Sequence, residues 1–392
     1  MSKTKTEEGL LYFTGIDGAT GNYELTPMTA EDLAAVALGE TISPELYNEL
    51  KNRRDSQEAH YGINADTTSL AETGWGVIFA AKDKQTEAIR EALKPLLDLR
   101  REQATKKNAA YYKEFMGGEG YRPDDTHLDF LGREPRMMGP GSVNPEKVPY
   151  YLLLVGDPET IPYRFQYQLD VQYAVGRIHF ETLEEYAQYA QSVVEAETGG
   201  KVKLPRQAVF FGAQSAHDQA TTLSAQQLIT PLSAEMATAQ SDWTLKTVLG
   251  ADAKKAALGQ YLGGKETPAL LFTASHGMGF PNGNPRQLAH QGALLCSDWP
   301  GPREWQSPIP ENFYFSADDV SGDASLLGMM AFFFACYGAG TPKLDEFANK
   351  ALQERQVIAP YAFMARLPQK LLSHSKGGAF AAGGHVDRAW GY

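Results

Sequence analysis

The stretch Pro268-Ala-Leu-Leu-Phe-Thr-Ala-Ser-His276-Gly277 is an apolar run that ends in a histidine. A second run further along the chain, Met330-Ala-Phe-Phe-Phe-Ala-Cys336-Tyr-Gly338, ends in a cysteine. Continuous apolar runs of this length are typical of strands buried on both faces of a parallel sheet. Reactive groups in such sheets gather at the carboxyl ends of the strands. The sequence therefore predicts that the His276 imidazole and the Cys336 thiol emerge side by side at one edge of a sheet.

Composition indicates an ordinary globular protein and excludes several functional classes. The chain has 392 residues, of which 43% are hydrophobic and 21% are charged, and its net charge is -12. That acidity argues against a nucleic-acid partner, because phosphate binding needs a basic surface. The two cysteines, Cys296 and Cys336, provide no disulfide framework and indicate a reducing compartment. Since neither a signal-peptide pattern nor an apolar run of about 18 residues is found, the expected location is the cytoplasm.

Strands and helices alternate along most of the chain. Besides the two runs already quoted, strand patterns occur at 74–80, 148–156, 207–212, 243–249 and 377–385. This alternation predicts right-handed βαβ crossovers, an α/β fold and a mostly parallel sheet. The predicted organisation is an N-terminal extension or cap at 1–70, a first α/β lobe at 71–200 and a second lobe at 201–392. Residues 116–149, rich in Gly, Pro and charge, are expected to form a long exposed loop.

The two strand ends carry the groups that nucleophilic catalysis needs. A thiol becomes a good nucleophile once it loses its proton, and a neighbouring imidazole favours that loss. Gly277 lets the backbone approach a substrate carbonyl closely. The N–H groups of Gly277 and Cys336 are candidate oxyanion donors, each worth about 3 kcal/mol in the transition state. His276 and Cys336 are therefore the candidate base and nucleophile.

The alternative interpretation of Cys336 is an inert core thiol, which is what most free cysteines are. The Ser-His-Gly stretch at an equivalent strand end favours the reactive interpretation, whereas Cys296 lacks such a partner and is expected to be inert. The stretch 259–266 nearly matches a phosphate-binding loop, but Glu266 stands where that loop needs Ser or Thr. The eight histidines lack metal-ligand spacing. No cofactor or metal is expected, and a calcium requirement is left open.

The two strand ends resemble the caspase-type cysteine peptidases, a family that includes caspases, gingipains, separases and bacterial CHAT domains. The matching motifs are His276-Gly277 and Ala335-Cys336-x-Gly338. The gingipain-like branch is the most similar, because its other lobe carries a Leu-Leu-x-Gly-Asp-x-x-x-Ile-Pro stretch and an Ile-Gly-Arg strand. The corresponding residues of this chain are Leu153-Leu-Val-Gly-Asp157 with Ile161-Pro162, and Gly176-Arg177. The resemblance covers roughly residues 145–390.

The resemblance implies a caspase-like three-layer αβα sandwich with a non-catalytic N-terminal lobe and a catalytic C-terminal lobe. It implies a cysteine endopeptidase in which His276 and Cys336 form a Cys-His dyad and Gly277 lies at the oxyanion site. Gingipains are secreted, so the missing signal-peptide pattern makes this chain more similar to intracellular bacterial caspase-like proteases. Some of those act in regulated proteolysis or antiviral defence. The alternative is a catalytically silent module of the same fold that binds peptides and regulates.

The resemblance also implies a preference for Arg or Lys before the scissile bond. In gingipain-like enzymes an acidic residue ahead of the Gly-Arg strand accepts the basic side chain, and Asp170 has a similar place here. The last strand resembles the segment that supplies a tryptophan wall, which makes Trp390 and the nearby Asp387 further candidates for this pocket. The alternative for each aspartate is a loop cap or a salt bridge, such as Asp387 with Arg388.

The expected partners are a peptide or protein substrate and, for activation, a protease or a regulatory partner. The predicted loop at 116–149 contains Arg122, Arg133 and Arg136 among Gly and Pro, which makes it a candidate site of activating cleavage. Neither nucleic acid nor a membrane is an expected partner.

Overall fold

The computed structural model describes residues 9–12, 27–44, 46–47, 50, 66–133, 136, 138, 143–200, 202–345 and 355–389. Most of the predicted N-terminal extension, and Trp390, lie outside the described residues. The described α-helices are Ala30–Leu38, Leu70–Thr73, Thr86–Ala92, Lys94–Ala104, His127–Gly132, Tyr163–Leu169, Leu183–Thr198, Gln219–Leu223, Thr230–Ala239, Lys255–Tyr261, Gln287–His290 and Arg366–Leu372, and π-helical Ser224–Ile229 joins two of them.

The main strands form two separate sheets, and every strand pair within them is parallel. The first sheet has the order β2-β1-β3-β4, and its strands are Trp75–Phe79 (β1), Tyr112–Phe115 (β2), Tyr151–Val155 (β3) and Ala174–Ile178 (β4). The second has the order β9-β8-β7-β5-β6, and its strands are Gln207–Gly212 (β5), Thr244–Leu249 (β6), Leu270–Ala274 (β7), Met330–Phe334 (β8) and Ala381–Gly384 (β9). The predicted α/β fold with mostly parallel strands is confirmed. Four strands in each sheet follow the same spatial order.

Short antiparallel pairs complete the described strands. They are Leu10–Leu11 with Met28–Thr29, Leu294–Leu295 with Tyr314–Phe315, and Gly340–Thr341 with Phe363–Met364. The last two pairs lie in the connections that follow the histidine strand and the cysteine strand. They therefore shape the surroundings of both candidate residues.

The first sheet is covered by helices on both faces, because its central strands β1 and β3 are apolar on both sides. All five residues of β1 are buried. Its alternate side chains fall into two apolar clusters, with Val77 and Phe79 in one and Ile78 in the other. The cluster of Val77 extends into the second sheet, where it includes Phe333 of β8. One continuous core therefore joins the two sheets.

Strand β8 departs from the prediction of a strand buried on both faces. Ala331 and Phe333 point into the core, but Met330 and Phe332 on the other face are 40% and 37% exposed. Phe332 stacks on Phe272 of β7 with ring centroids 5.1 Å apart. The expectation is wrong for this strand, since one of its faces stays partly exposed next to the edge strand β9.

The predicted exposed loop at 116–149 contains more structure than expected. Helix His127–Gly132 begins with a capping box formed by Thr126 and Asp129. The side chain of Arg136 is 2% exposed, donates a hydrogen bond to the Phe130 carbonyl and pairs with Glu119. A buried arginine is inaccessible to a protease in the folded chain. The hypothesis of activating cleavage is therefore wrong for Arg136.

The two sheets are held together by hydrogen bonds between the segments that connect their strands. The Tyr163 hydroxyl, at the start of helix Tyr163–Leu169, donates a 2.8 Å hydrogen bond to the Phe363 carbonyl. A Cβ atom on Gly340 would lie 2.0 Å from that hydroxyl, so only glycine admits the tyrosine there. A second hydrogen bond between the two halves runs from the Gly378 N–H to Ser192 Oγ at 2.8 Å. Tyr163 therefore ties the first sheet to the loop that follows Cys336.

We expect Tyr163→Phe to lower the free energy of unfolding by about 1 kcal/mol, because it removes the buried hydrogen bond from the Tyr163 hydroxyl to the Phe363 carbonyl. The measurement is urea unfolding followed by tryptophan fluorescence. The control is Tyr167→Phe, one turn later on the same helix, where the side chain is 45% exposed. Equal effects of the two substitutions would contradict the role of the buried hydrogen bond.

Candidate active site

The site begins with the register between β7 and β8. The two strands pair in parallel from Leu270 with Met330 to Ala274 with Phe334. His276 follows Ala274 by two residues and Cys336 follows Phe334 by two, so both leave the sheet at the same level. The hydrogen bond from Ser275 N–H to the Phe334 carbonyl, 3.2 Å, continues the pairing beyond the strands. The structure thus brings the candidate base and nucleophile to neighbouring strand ends.

Gly277 packs directly against the backbone of Cys336. A Cβ atom at Gly277 would lie 1.8 Å from the Cys336 carbonyl oxygen and 2.9 Å from its nitrogen. Because no side chain fits in that space, glycine is required for the approach of the two loops. Within the part of the chain that the structure describes, neither the Gly277 N–H nor the Cys336 N–H donates a hydrogen bond to the protein. Both are available to a developing oxyanion.

His276 has a carboxylate partner that the sequence analysis did not identify. Its Nε2 lies 2.8 Å from Oδ2 of Asp218, and the Thr221 hydroxyl donates to the same oxygen at 2.7 Å. Asp218 follows β5, the neighbour of β7, and is 8% exposed. Burial raises the pKa of Asp218, but the hydrogen bonds from His276 and Thr221 outweigh it, so the net pKa lies below its ordinary value.

The Asp218 carboxylate has a direct consequence for the imidazole. As an ionised acceptor, it requires that Nε2 of His276 carry a proton. The lone pair of the neutral ring is then on Nδ1, which is the atom left to act as a base. A sequence signal for Asp218 did exist, because Ser215-Ala-His-Asp218 follows the predicted strand at 207–212. That β5 lies next to β7, however, follows only from the order of the strands in the sheet.

The Cys336 thiol contacts the chain that follows β9. Ala389 N–H donates to Sγ at 3.3 Å, and Sγ lies 3.6 Å from the Ala389 carbonyl oxygen. Among the described residues, Sγ and the His276 ring share no hydrogen bond. Tyr337, the next residue, has φ 60° and donates its N–H to the Asp387 carbonyl at 2.7 Å. The segment 385–389 therefore lies against the cysteine loop.

The other cysteine lies in a different environment. Cys296 is 1% exposed and its Sγ donates to the Leu294 carbonyl at 3.4 Å. Burial raises the pKa of this thiol far above the ordinary range. A thiol that stays protonated and inaccessible is inert, which agrees with the sequence-based interpretation of Cys296.

Asp170 lies away from the strand ends that hold the other candidates. It follows helix Tyr163–Leu169, is exposed, and accepts a 3.1 Å hydrogen bond from Val175 N–H. That position is at the amino end of β4, whereas His276 and Cys336 follow the carboxyl ends of their strands. The structure therefore does not bring Asp170 together with the thiol.

Asp387 lies close to the thiol, but its carboxylate is already engaged. Its Oδ1 accepts a hydrogen bond from the Arg388 N–H at 2.8 Å and lies 3.6 Å from the Arg388 guanidinium. This is the salt-bridge alternative that the sequence left open. Asp345, which the sequence analysis did not single out, instead binds the Arg388 guanidinium through both of its oxygens.

The described residues hold no group of three or more His, Cys, Asp or Glu side chains arranged to bind a metal ion. In the same part of the chain, no helix has the length and apolarity needed to cross a bilayer.

Comparison with known proteins gives a structural likeness only. No family model and no curated protein matches the chain. The Arg-specific cysteine proteinase gingipain R (RGPB) is similar at 12% identity and a TM-score of 0.44, over 80% of this chain and 62% of that one. A structure described as a protease is similar at 12% identity and a TM-score of 0.42, over 83% of this chain and 61% of that one. The complex of Porphyromonas gingivalis RgpB pro- and mature domains is similar at 12% identity and a TM-score of 0.40, over 79% of this chain and 63% of that one.

The chain thus spans less than two thirds of the length of each of these structures.

We expect Asp218→Asn to lower the reaction rate of the Cys336 thiol at neutral pH by about 100-fold or more, because an orienting carboxylate sets the imidazole tautomer. The measurement is the rate of alkylation as a function of pH. Asp298→Asn is the matched control, since its carboxylate accepts a hydrogen bond from the Lys255 backbone N–H and, among the described residues, makes none with His276. Equal pH profiles for the two variants would contradict the role of Asp218.

The same variant has a predicted effect on stability at acid pH. Because the folded pKa of Asp218 lies below its ordinary value of 3.8, its contribution to stability is present above that pH. It is lost as the pH falls through the folded pKa. In Asp218→Asn the loss of stability below about pH 4 should be smaller than in the wild type.

We expect Gly277→Ala to displace the Cys336 backbone and abolish any activity that depends on this thiol, because the added methyl group overlaps the carbonyl oxygen. Gly322→Ala is the control, at a glycine that has open space around it and no positive φ. Activity retained in Gly277→Ala would refute the tight packing of the two loops.

Proposed function

We propose that this chain is a cysteine endopeptidase. Cys336 is the nucleophile, His276 is the base, and Asp218 orients the imidazole. The backbone N–H groups of Gly277 and Cys336 stabilise the oxyanion. The observation that carries this proposal is the Asp218–His276 hydrogen bond at the strand end level with Cys336. A carboxylate, an imidazole and a thiol on three adjacent loops are the groups that acyl transfer requires.

The chemistry follows from these roles. His276 Nδ1 takes the thiol proton as Sγ attacks the carbonyl carbon of the scissile bond, and the carbonyl oxygen becomes the oxyanion. When the C–N bond breaks, the imidazolium gives its proton to the departing amine and a thioester remains on Cys336. Water then attacks the thioester while His276 takes its proton. The acid leaves, and the proton returns to the thiol.

The proposal includes a preference for Arg or Lys before the scissile bond, as the resemblance suggests. It is supported by Asp345, a buried carboxylate in the loop after Cys336 that already holds a guanidinium. The cytoplasmic location and a role in regulated bacterial proteolysis or antiviral defence stay predictions.

A second candidate function is a silent module that binds peptides without cleaving them. It is favoured by one observation, namely that the Cys336 thiol contacts Ala389 instead of the His276 ring. The two candidates differ in whether the thiol is activated, which alkylation with iodoacetamide measures directly.

The test applies fluorogenic peptides with Arg, Lys, Asp or Leu before the scissile bond to the wild type and to Cys336→Ala. We expect cleavage after Arg and Lys that is absent from Cys336→Ala. Iodoacetamide should label Cys336 much faster than the buried Cys296, and His276→Ala should remove most of that difference. Because the Ala389 backbone contacts the partly exposed thiol, the panel is repeated on Arg388→Ala. If neither protein cleaves any peptide and Cys336 labels as slowly as Cys296, the silent module is favoured.

A further inference from the structure

Arg388 is bound to Asp345 in the way that a carboxylate recognises the side chain of an arginine ligand. Two nitrogens of the guanidinium donate to the two carboxylate oxygens at 2.9 and 3.0 Å. The Asp345 side chain is only 7% exposed, and that of Arg388 is 31% exposed. Bidentate pairs of this kind are specific for the planar, forked shape of arginine.

This ion pair lies beside the candidate nucleophile. Asp345 follows Cys336 in the same loop, and the next residue after Arg388 is Ala389, whose N–H bonds to Sγ. The charges of Arg388 and Asp345 both act on the hydroxyl of Tyr337, the residue after Cys336. The guanidinium site and the thiol are thus parts of one small region.

The segment is held against the cysteine loop by its backbone as well as by the ion pair. Ala339 N–H donates to the His385 carbonyl at 2.8 Å, and Asp387 N–H donates to the Gly340 carbonyl at 3.2 Å. Together with the bond from Tyr337 N–H to the Asp387 carbonyl, these contacts align residues 385–389 with residues 337–340. A peptide substrate could approach this side of the thiol only by displacing the segment.

The Arg388–Ala389 peptide bond is next to the thiol but is not placed for cleavage. Sγ accepts the hydrogen bond of the Ala389 N–H and so lies on the N–H side of the peptide group. In a planar trans peptide the carbonyl oxygen points the opposite way. Attack on the carbonyl carbon needs an approach from above that plane, with the oxygen directed at the Gly277 and Cys336 N–H groups. The contact occupies one side of the partly exposed thiol without presenting a scissile carbonyl.

We propose that Asp345 is the residue that binds a cationic substrate side chain, and that Arg388 occupies this position in the free protein so that residues 385–389 block Cys336. The proposal rests on the proposed function, since it names the specificity and the regulation of that same site. A substrate arginine displaces Arg388 from Asp345, and the segment then leaves the thiol. A lysine offers a point charge in place of a fork, so arginine is the preferred side chain.

The first experiment measures iodoacetamide labelling of Cys336 by mass spectrometry. We expect Cys336 of Arg388→Ala to be labelled at least about tenfold faster than that of the wild type. Without the Asp345 ion pair, fewer molecules are in the state in which residues 385–389 contact the thiol. Arg366→Ala is the matched control, since it removes the ion pair of Arg366 with Glu181 and leaves the Asp345 pair intact. Unchanged labelling in a folded Arg388→Ala variant would overturn the proposal.

The second experiment uses the unmodified protein. Acetyl-argininamide at millimolar concentration should accelerate the labelling of Cys336 by displacing Arg388 from Asp345. Acetyl-citrullinamide has nearly the same shape but no charge, and it should have no effect. Equal responses to the two compounds would contradict cation recognition by Asp345.

The third experiment separates specificity from blocking. Asp345→Asn should also speed the labelling of Cys336, but it should lose the preference for Arg peptides over Leu peptides that Arg388→Ala keeps. If labelling rises in Arg388→Ala while no peptide is cleaved, the block is supported and the peptidase proposal fails. If the wild type cleaves peptides through Cys336 and Arg388→Ala changes neither labelling nor cleavage, the peptidase proposal stands and the block is refuted.

Discussion

The site depends on the parallel register between β7 and β8. One-to-one pairing from Leu270 with Met330 to Ala274 with Phe334 sets both strand ends at the same level. A slip of one residue would turn every side chain of one strand to the opposite face. The buried Ala331 and Phe333 oppose that slip, because it would exchange them with the partly exposed Phe332. Core packing therefore fixes the position of His276 relative to Cys336.

The loops beyond these strands add the remaining chemistry. Gly277 lets the loop after β7 contact the backbone of Cys336. Asp218 follows β5, which lies on the opposite side of β7 from β8, and it contacts His276. The four strands of the first sheet follow the same spatial order, but their ends carry no equivalent of the thiol. The first sheet instead supports the second, for example through Tyr163 against Gly340. The second sheet thus carries the candidate site, and the first sheet packs against it.

Sequence patterns predicted the strands well where apolar runs are continuous. Gln207–Gly212 was predicted with its observed bounds, and the two strands that lead to His276 and Cys336 were found. Tyr112–Phe115 was missed, because it is polar and sits inside a predicted helix-and-loop region. Arg136 was wrongly predicted to lie on an exposed loop. Its side chain is buried because it binds the Phe130 carbonyl and the Glu119 carboxylate, and composition cannot predict these contacts.

Local patterns in the sequence indicated the fold class and the two candidate site residues, because periodicity and strand ends are local properties of the chain. The carboxylates near these two residues could be identified only from the tertiary structure. Asp218 reaches His276 because β5 lies next to β7 in the sheet, and Asp345 meets Arg388 because the chain after β9 returns to the cysteine loop. These pairs are far apart in sequence and become neighbours only when the sheet order is fixed.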